Sequence, residues 1–588
     1  MALTDLILLH PPSVYDFRKL PGVHGPISDV VPSTPIFEMY PIGFVSLSEY
    51  LERHGFEVRI INVALKMLRD EAFDVEKLIQ KQKPVAFGID LHWMAHVQGA
   101  LALAEIIKRY HPKTPVILGG LSATYYHEEI LRRYPFVDFI VRGDSTEKPV
   151  LELLRAIKQG NDVSPIPNLT WRDGQGTVHV NPLTEVPETL DEITIDYRHI
   201  MKKVLRYIDP TGYQPFVDWY AYPVTAVFTC RGCTYSCKTC GGSSRTFRSM
   251  ANRRKPAYRD PKLLAQDIFN ISDHLNAPVM IIGDIFQAGE PYGFTFLQEM
   301  KKRPISNPIA LEFFVPPSRF QLERIAEAIP NFNLEISPES HDEEIRRAFG
   351  RPYDNSSLER MIRDAIDLGC RRIDVFFMTG LPKQTAQSVL DTVDYCRSLL
   401  ERFRPYQKLL PFISPLAPFL DPGSMVFEEP EIYGYRLLHR TVEEHRKAML
   451  APSWKYTLNY ETEWMTRDEI VTSTYEAGKR LNRLKAQFGL IDQQTAESVE
   501  QRIDAAVQIM EEIDRIVALS GASDREIEWG CALQGRLSLQ TYSMATVCGK
   551  KELEWPTRFL RMNLFKILKT LFTRRKPNVS LPAPTGSP

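Results

Sequence analysis

Along the N-terminal part of the chain, short apolar runs alternate with segments whose apolar residues recur at helical spacing. LILLH (6–10), EVRIINV (57–63), PVAFGI (84–89), PVILGG (115–120) and FVDFIVRG (136–143) read as buried strands. GFVSLSEYLERHG (43–55), VQGALALAEIIKRYH (97–111) and EEILRRYP (128–135) read as the helices between them. This alternation predicts an α/β fold, a doubly wound parallel sheet that binds ligands at the carboxyl ends of its strands. Turn residues stand at those ends: Pro11-Pro12, Gly119-Gly120 and Arg142-Gly143-Asp144. SPIPNLTWRDGQGTVHVNP (164–182) predicts a hairpin turning at Asp173-Gly174, and NPLTEVPETLDEI (181–193) a proline-rich linker. Tyr213, Trp219, Tyr220 and Tyr222 follow, and either pack simply or line a cleft between domains. From Ile432 onward the pattern is largely helical, as in RLLHRTVEEHRKAML (436–450) and AESVEQRIDAAVQIMEEIDRIV (496–517).

Length and composition narrow the class without naming a chemistry. A chain of 588 residues exceeds one hydrophobic core, so several domains are expected. With 44% hydrophobic and 25% charged residues and a net charge of −1, it is an ordinary globular chain with no global attraction to nucleic acid. The N-terminus carries no basic n-region, and no apolar stretch is long enough to cross a bilayer, so a cytoplasmic protein is expected.

Eight cysteines are too few for a disulfide scaffold, but four of them lie between Cys230 and Cys240. VTAVFTCRGCTYSCKTCGGSS places Cys233, Cys237 and Cys240 on a tight loop directly after a strand, Val224–Thr229. Three thiolates in this spacing hold three irons of a four-iron cluster and leave the fourth open to chelate a substrate or cofactor. Counting Cys230 gives four thiols, so number alone leaves zinc open. Pairs only three residues apart, however, leave little chain for the separate knuckles of a zinc ribbon. Cys230 is read as structural.

The stretch RGCTYSCKTC is similar to the signature loop of radical S-adenosylmethionine (SAM) enzymes, and its Arg-Gly-Cys start to the cobalamin-dependent group. The family usually has an aromatic residue before the third cysteine, where this chain has Thr239. Further pieces resemble later strands of that family's partial (β/α) barrel. They are PVMIIGDIFQ (278–287), LEFFVPPSRF (311–320), NLEISPES (333–340), RRIDVFFMTGLPKQT (371–385) and PFISPLAPFLDPGS (411–424). The N-terminal region resembles the cobalamin-binding domain found in front of such enzymes, through LLHPPS, PIGFVSLSEYLERHGFEVRIINV, GGLSAT and VDFIVRGDSTEKPVLELL.

The resemblance, of the class B methyltransferase type, implies three cofactors: a [4Fe-4S] cluster on Cys233, Cys237 and Cys240, SAM, and cobalamin. It implies SAM contacts at Tyr235, Thr239, Gly283, Asp284, Ser337, Glu339, Gly380 and Leu381. It implies cobalamin contacts at Pro12, Ser13, His92, Trp93, Gly119, Gly120, Ser122 and Gly143. The Asp-x-His-x-x-Gly signature of other cobalamin proteins is absent after the first strand, where His10-Pro11-Pro12-Ser13 stands. Asp90-Leu91-His92 has half of that spacing but follows the third strand and lacks the glycine, so His92 is read as a pocket-lining or ordinary surface histidine rather than a cobalt ligand. No residue is assigned as catalytic. Glu312, Glu335 and Glu339 stand out, because a carboxylate on a barrel strand needs a partner or a ligand.

The expected organisation is a cobalamin-binding domain (1–160), a hairpin and linker (161–220), a radical SAM barrel (221–425) and a helical C-terminal domain (426–588). The expected function is reductive cleavage of SAM to a 5′-deoxyadenosyl radical, with cobalamin-dependent methylation of an unactivated carbon. The alternatives are a cyclase or mutase without net methylation, and a non-catalytic zinc or cluster protein. Implied partners are a small-molecule or lipid substrate and a low-potential donor of flavodoxin or ferredoxin type. TRFLRMNLFKILKTLFTRRK (557–576), amphipathic and without an acidic residue, reads equally as a peripheral membrane anchor and as a helix docked on the protein's own core.

Overall fold

The computed structural model describes residues 4–520, apart from 21, 24, 26–33, 35 and 416–418, together with 547–555. The segment 557–576 lies outside the described residues. Among the described residues no helix is long and apolar enough to cross a membrane.

The N-terminal strands are β1 (Leu6–His10), β2 (Val58–Asn62), β3 (Ala86–Asp90), β4 (Val116–Gly119) and β5 (Phe139–Val141). They pair in parallel in the order β2-β1-β3-β4-β5. The unbroken apolar run of β1 has a simple cause, because alternate residues point to opposite faces. Leu6 and Leu8 pack with Phe44, Leu47 and Leu51 of the helix Gly43–Arg53. Ile7 and Leu9 belong to the core on the other side, with Leu101 and Ile107 of the helix Val97–Tyr110. The hairpin forms as β6 (Leu169–Arg172) and β7 (Val178–Val180), and it extends this sheet antiparallel to β5, with Phe139 opposite Trp171.

The second sheet holds six parallel strands: β8 (Thr225–Phe228), β11 (Val279–Ile282), β12 (Ile309–Phe313), β13 (Phe332–Glu339), β14 (Ile373–Thr379) and β15 (Leu409–Pro415). Their order runs β8-β11-β12-β13-β14-β15, with helices in the connections, which makes an open, partial barrel. Every barrel strand expected from the sequence is present. A ribbon of β9 (Cys230–Arg231) and β10 (Ala257–Tyr258) sits at its mouth.

The C-terminal part is largely helical among the described residues, as expected, with one short antiparallel pair. This pair, β16 (Tyr435–Leu437) and β17 (Tyr460–Thr462), precedes the helices Arg467–Gln487 and Gln493–Ser520. The strands are too short to leave a period in the sequence. Residues 547–555 return to the underside of the barrel, where Cys548 and Leu553 meet Phe376 and Phe412, and Trp555 meets Met280 and Ala310.

Candidate functional site: a thiol loop facing a glycine-lined sheet edge

The loop after β8 is held from three sides. The Lys238 amide donates to the Phe349 carbonyl (3.0 Å), and the Val426 amide to the Lys238 carbonyl (3.1 Å). The Gly241 amide donates to the carboxylate of Asp421 (2.9 Å). The thiols themselves receive donors: Gln287 Nε2 at 3.0 Å and the Tyr235 amide at 3.4 Å on Cys233 Sγ, and the Gly242 amide at 3.2 Å on Cys240 Sγ. Burial pushes the Cys237 thiol up to about 11 and raises Cys240 as well. Thiolates form in so dry a place only against a strong cationic centre such as a metal cluster. Among the described residues no three His, Cys, Asp or Glu side chains converge on a point where one metal ion would sit. Three thiolates that each take a separate iron need no such point. The residues present therefore fit an iron–sulfur cluster.

Acidic and basic groups crowd the adjoining strand ends. Asp284, after β11, is buried and accepts the Phe286 amide at 2.7 Å; burial pushes its carboxyl up to about 7. Glu312 on β12 accepts the Gly283 amide at 2.8 Å, and burial raises it also. Glu339 ends β13 beyond a register shift, with φ at 69°, and burial pushes its carboxyl up to about 7. Arg351 reaches Glu339 Oε1 at 3.5 Å and the Phe314 carbonyl at 3.2 Å, and its guanidinium lies 5.7 Å from the Tyr235 ring centre. Glu339 Oε2 and Arg351 Nε have no hydrogen-bond partner among the described residues. Unused polar atoms of both signs beside the thiols suit a zwitterionic ligand better than an apolar one.

The opposite wall is the carboxyl edge of the first sheet. A cavity of about 730 Å³ runs between the two, lined by His92, Trp93, Gly119, Gly120 and Gly143 on one side and by Cys230, Arg231, Gly232, Met280 and Glu312 on the other. Gly120, with φ at 115°, has no room for a side chain, since an added Cβ would lie 2.6 Å from the His92 backbone. Two buried ion pairs hold the walls together. Glu147 takes both ends of Arg231 at 2.6 and 2.8 Å, and Asp144 pairs with Arg253. An extended apolar cavity with a glycine edge fits a large ligand such as cobalamin.

The expected residues divide accordingly. Tyr235, Asp284 and Glu339 gather around Arg351 beside the thiols, with Gly283 one bond away from Glu312. Thr239 is buried within the loop, and Ser337 is half-buried in the bulged part of β13. The amides of Gly380 and Leu381 are both bonded to Gln384 Oε1, and the Gly380 carbonyl accepts Tyr435 Oη at 2.7 Å. These two positions thus turn toward β16 and β17. On the other wall, Ser122 does not line the cavity; its hydroxyl donates to the His92 carbonyl at 3.0 Å. Pro12 and Ser13 do not line it either and pack on the start of the helix Val97–Tyr110. Tyr213 is core, and Pro215 and Phe216 reach the cavity instead. Gln287 and Asp421 lie within pieces that resemble the family's barrel strands but drew no role from the sequence, and Arg351 lies outside all of them. Only their distance from the thiol loop in the fold identifies them.

Comparison with known proteins agrees with this geometry. A family model described as "B12 binding domain" matches residues 29–151, and one described as "Radical SAM superfamily" matches residues 227–396. An uncharacterised methyltransferase of Pyrococcus horikoshii is 26% identical over 244 residues, 41% of this chain and 46% of that protein. The anaerobic magnesium-protoporphyrin IX monomethyl ester cyclase of Synechocystis is 24% identical over 263 residues, 45% of this chain and 46% of that protein. The chain thus spans about half the length of the curated relatives it matches. The solved radical SAM methyltransferase TsrM of Kitasatospora setae superposes with a TM-score of 0.53 at 16% identity, covering 74% of this chain and 78% of TsrM, and so shares its fold. Over residues 29–151 the chain is thus similar to B12-binding domains, and over residues 227–396 to the radical SAM superfamily.

Proposed function

We propose that the chain is a cobalamin-dependent radical SAM enzyme that methylates an unactivated carbon of a small-molecule substrate. The observation that carries this reading is a cavity lined on one side by the glycine edge of the first sheet and on the other by Cys230, Arg231 and Gly232, which lead directly into the thiol loop at Cys233. When bound, the cluster with SAM supplies a 5′-deoxyadenosyl radical and cobalamin a transferable methyl group.

The chain's own residues bind, orient and shield. Cys233, Cys237 and Cys240 hold the cluster, while Gln287 and the amides of Tyr235 and Gly242 donate to its sulfurs and stabilise their negative charge. Asp284 and Glu339 receive the amino group of SAM and Arg351 its carboxylate, in keeping with the unused atoms at that corner. Tyr235, Thr239, Gly283 and Ser337 complete the SAM pocket, and Gly380 and Leu381 support it through Gln384. His92, Trp93, Gly119, Gly120 and Gly143 meet the corrin, with Ser122 fixing the His92 backbone and Pro12 and Ser13 fixing the helix behind it. The Arg231–Glu147 and Arg253–Asp144 pairs keep the walls closed and exclude water from the radical. Electrons come from a low-potential flavodoxin or ferredoxin.

A cyclisation without methyl transfer is the second reading, favoured by the similarity to the Synechocystis cyclase. The test is anaerobic reconstitution with iron and sulfide, then addition of cobalamin, SAM and a low-potential reductant. 5′-Deoxyadenosine and retained corrin are assayed together. Both are expected, and Cys233→Ala, Cys237→Ala or Cys240→Ala should reduce deoxyadenosine to background. Protein that carries zinc and yields neither would refute the proposal. Product mass separates methylation from cyclisation.

A further inference from the structure

Beside the thiol loop, Cys230 and Gln287 form a chain of contacts whose donors and acceptors admit one arrangement. Gln287 stands in the turn after β11, where its amide donates to the Asp284 carbonyl at 3.1 Å. Its side chain lies between two sulfurs. Nε2 is 3.0 Å from Cys233 Sγ, and Oε1 is 3.4 Å from Cys230 Sγ. The Cys230 sulfur also lies 3.4 Å from the Gly232 carbonyl, and the Thr229 hydroxyl donates to it at 3.6 Å. Gln287 and Cys230 are both half-buried, and Cys230 lines the cavity on the side opposite the glycine edge.

A thiolate bound to iron only accepts hydrogen bonds, so a carboxamide beside it turns its NH2 group inward. With Nε2 committed to Cys233, the carboxamide oxygen is left facing Cys230. An oxygen without a proton only accepts, so the Cys230 sulfur must meet it as S–H. The Gly232 carbonyl, the other oxygen within reach of that proton, makes the same demand. A deprotonated or metal-bound Cys230 would instead face two acceptors with nothing to donate. We infer that Cys230 is a positioning residue and not a fourth ligand: its thiol holds Gln287 Oε1, which keeps the Gln287 N–H on Cys233 and raises the reduction potential of the cluster. The inference rests on the cluster reading proposed above. A hydrogen bond to a ligand sulfur stabilises the more negative, reduced cluster, and so favours uptake of an electron from the low-potential donor.

The test uses the full-length protein reconstituted anaerobically with iron and sulfide, with iron analysis and a reductive titration followed by electron paramagnetic resonance. Cys230→Ala, Cys230→Ser and Gln287→Leu should each keep the iron content of the wild type, whereas Cys233→Ala should lose it. Gln287→Leu should disfavour the reduced cluster about tenfold, which places its midpoint about 59 mV lower. Cys230→Ala frees the carboxamide to turn and should shift the same equilibrium about threefold in the same direction. Cys230→Ser keeps a donor for Oε1 and should restore the wild-type midpoint. Circular dichroism of the metal-free variants reports folding, and Cys230→Val, which also lacks a donor, replaces Cys230→Ala if the latter does not fold. Loss of iron from a folded Cys230→Ala, down to the level of Cys233→Ala, would make Cys230 a ligand and overturn the inference. A wild-type midpoint in Cys230→Ala, or one that Cys230→Ala and Cys230→Ser share, overturns it as well. A wild type that takes up zinc and forms no cluster overturns the cluster reading and this inference with it.

Discussion

At the scale of single residues, burial governs the chemistry of the carboxyls around the thiol loop. Asp284 and Glu339, each pushed up to about 7, hold protons in the folded, metal-free protein that the unfolded chain has already released. Between the unfolded value near 4 and the folded value near 7, the native state therefore binds more protons than the unfolded state. Stability of the metal-free protein should fall as pH rises across this window, by at most about 1.4 kcal/mol per pH unit for each group. Above it the dependence should level off. Asp284→Asn has no proton to lose and should flatten the slope, as urea titrations at pH 5, 6, 7 and 8 would show. An unchanged slope would mean that Asp284 is ionised throughout.

At the scale of elements, the two sheets are joined by charges rather than by apolar packing alone. Arg231 follows β8 on β9, and Glu147 opens the helix after β5, so their contact bridges the walls of the cavity. Ser46 adds a hydroxyl to both partners. A buried pair contributes little relative to an apolar substitute, but removing one partner strands the other. Glu147→Ala should therefore destabilise the protein by about 3–5 kcal/mol, measured by chemical denaturation. The double variant Glu147→Ala with Arg231→Ala should recover part of that loss. If the single and double variants are equally destabilised, the pair has no coupling. The Asp421–Gly241 bond works similarly on the thiol loop, tying it to the segment after β15.

At the scale of the whole molecule, residues 547–555 close the barrel from beneath. Arg372 lies 4.8 Å from the Trp555 ring centre, bonds the carbonyls of Glu552 and Glu554, and pairs with Asp374 at 2.8 Å. Lys485 pairs with Glu552 in a fully buried contact. Trp555 rests on Met280, which lines the cavity, so the last described segment supports the cavity floor. Trp555→Ala should destabilise the protein by about 3–5 kcal/mol through the void it leaves. Calorimetry would show this as a lower melting temperature. A change below 1 °C would mean the floor stands without it.

Local pattern by itself determined the strands of the first sheet and the placement of three thiols on one loop, while the later barrel strands were legible through their resemblance to a known family. The physical reason is that period, turn residues and ligand spacing are properties of neighbours in the chain. LILLH and the Cys233–Cys240 loop needed no tertiary information to be read. The structure alone decided that the hairpin at Asp173 joins the first sheet, that β16 and β17 interrupt the helical tail, and that Ser122 braces His92. It alone brought Arg351, Gln287 and Asp421 to the thiols. These facts depend on contacts between residues far apart in the chain. Burial, on which every shifted carboxyl and thiol depends, exists only once those contacts close.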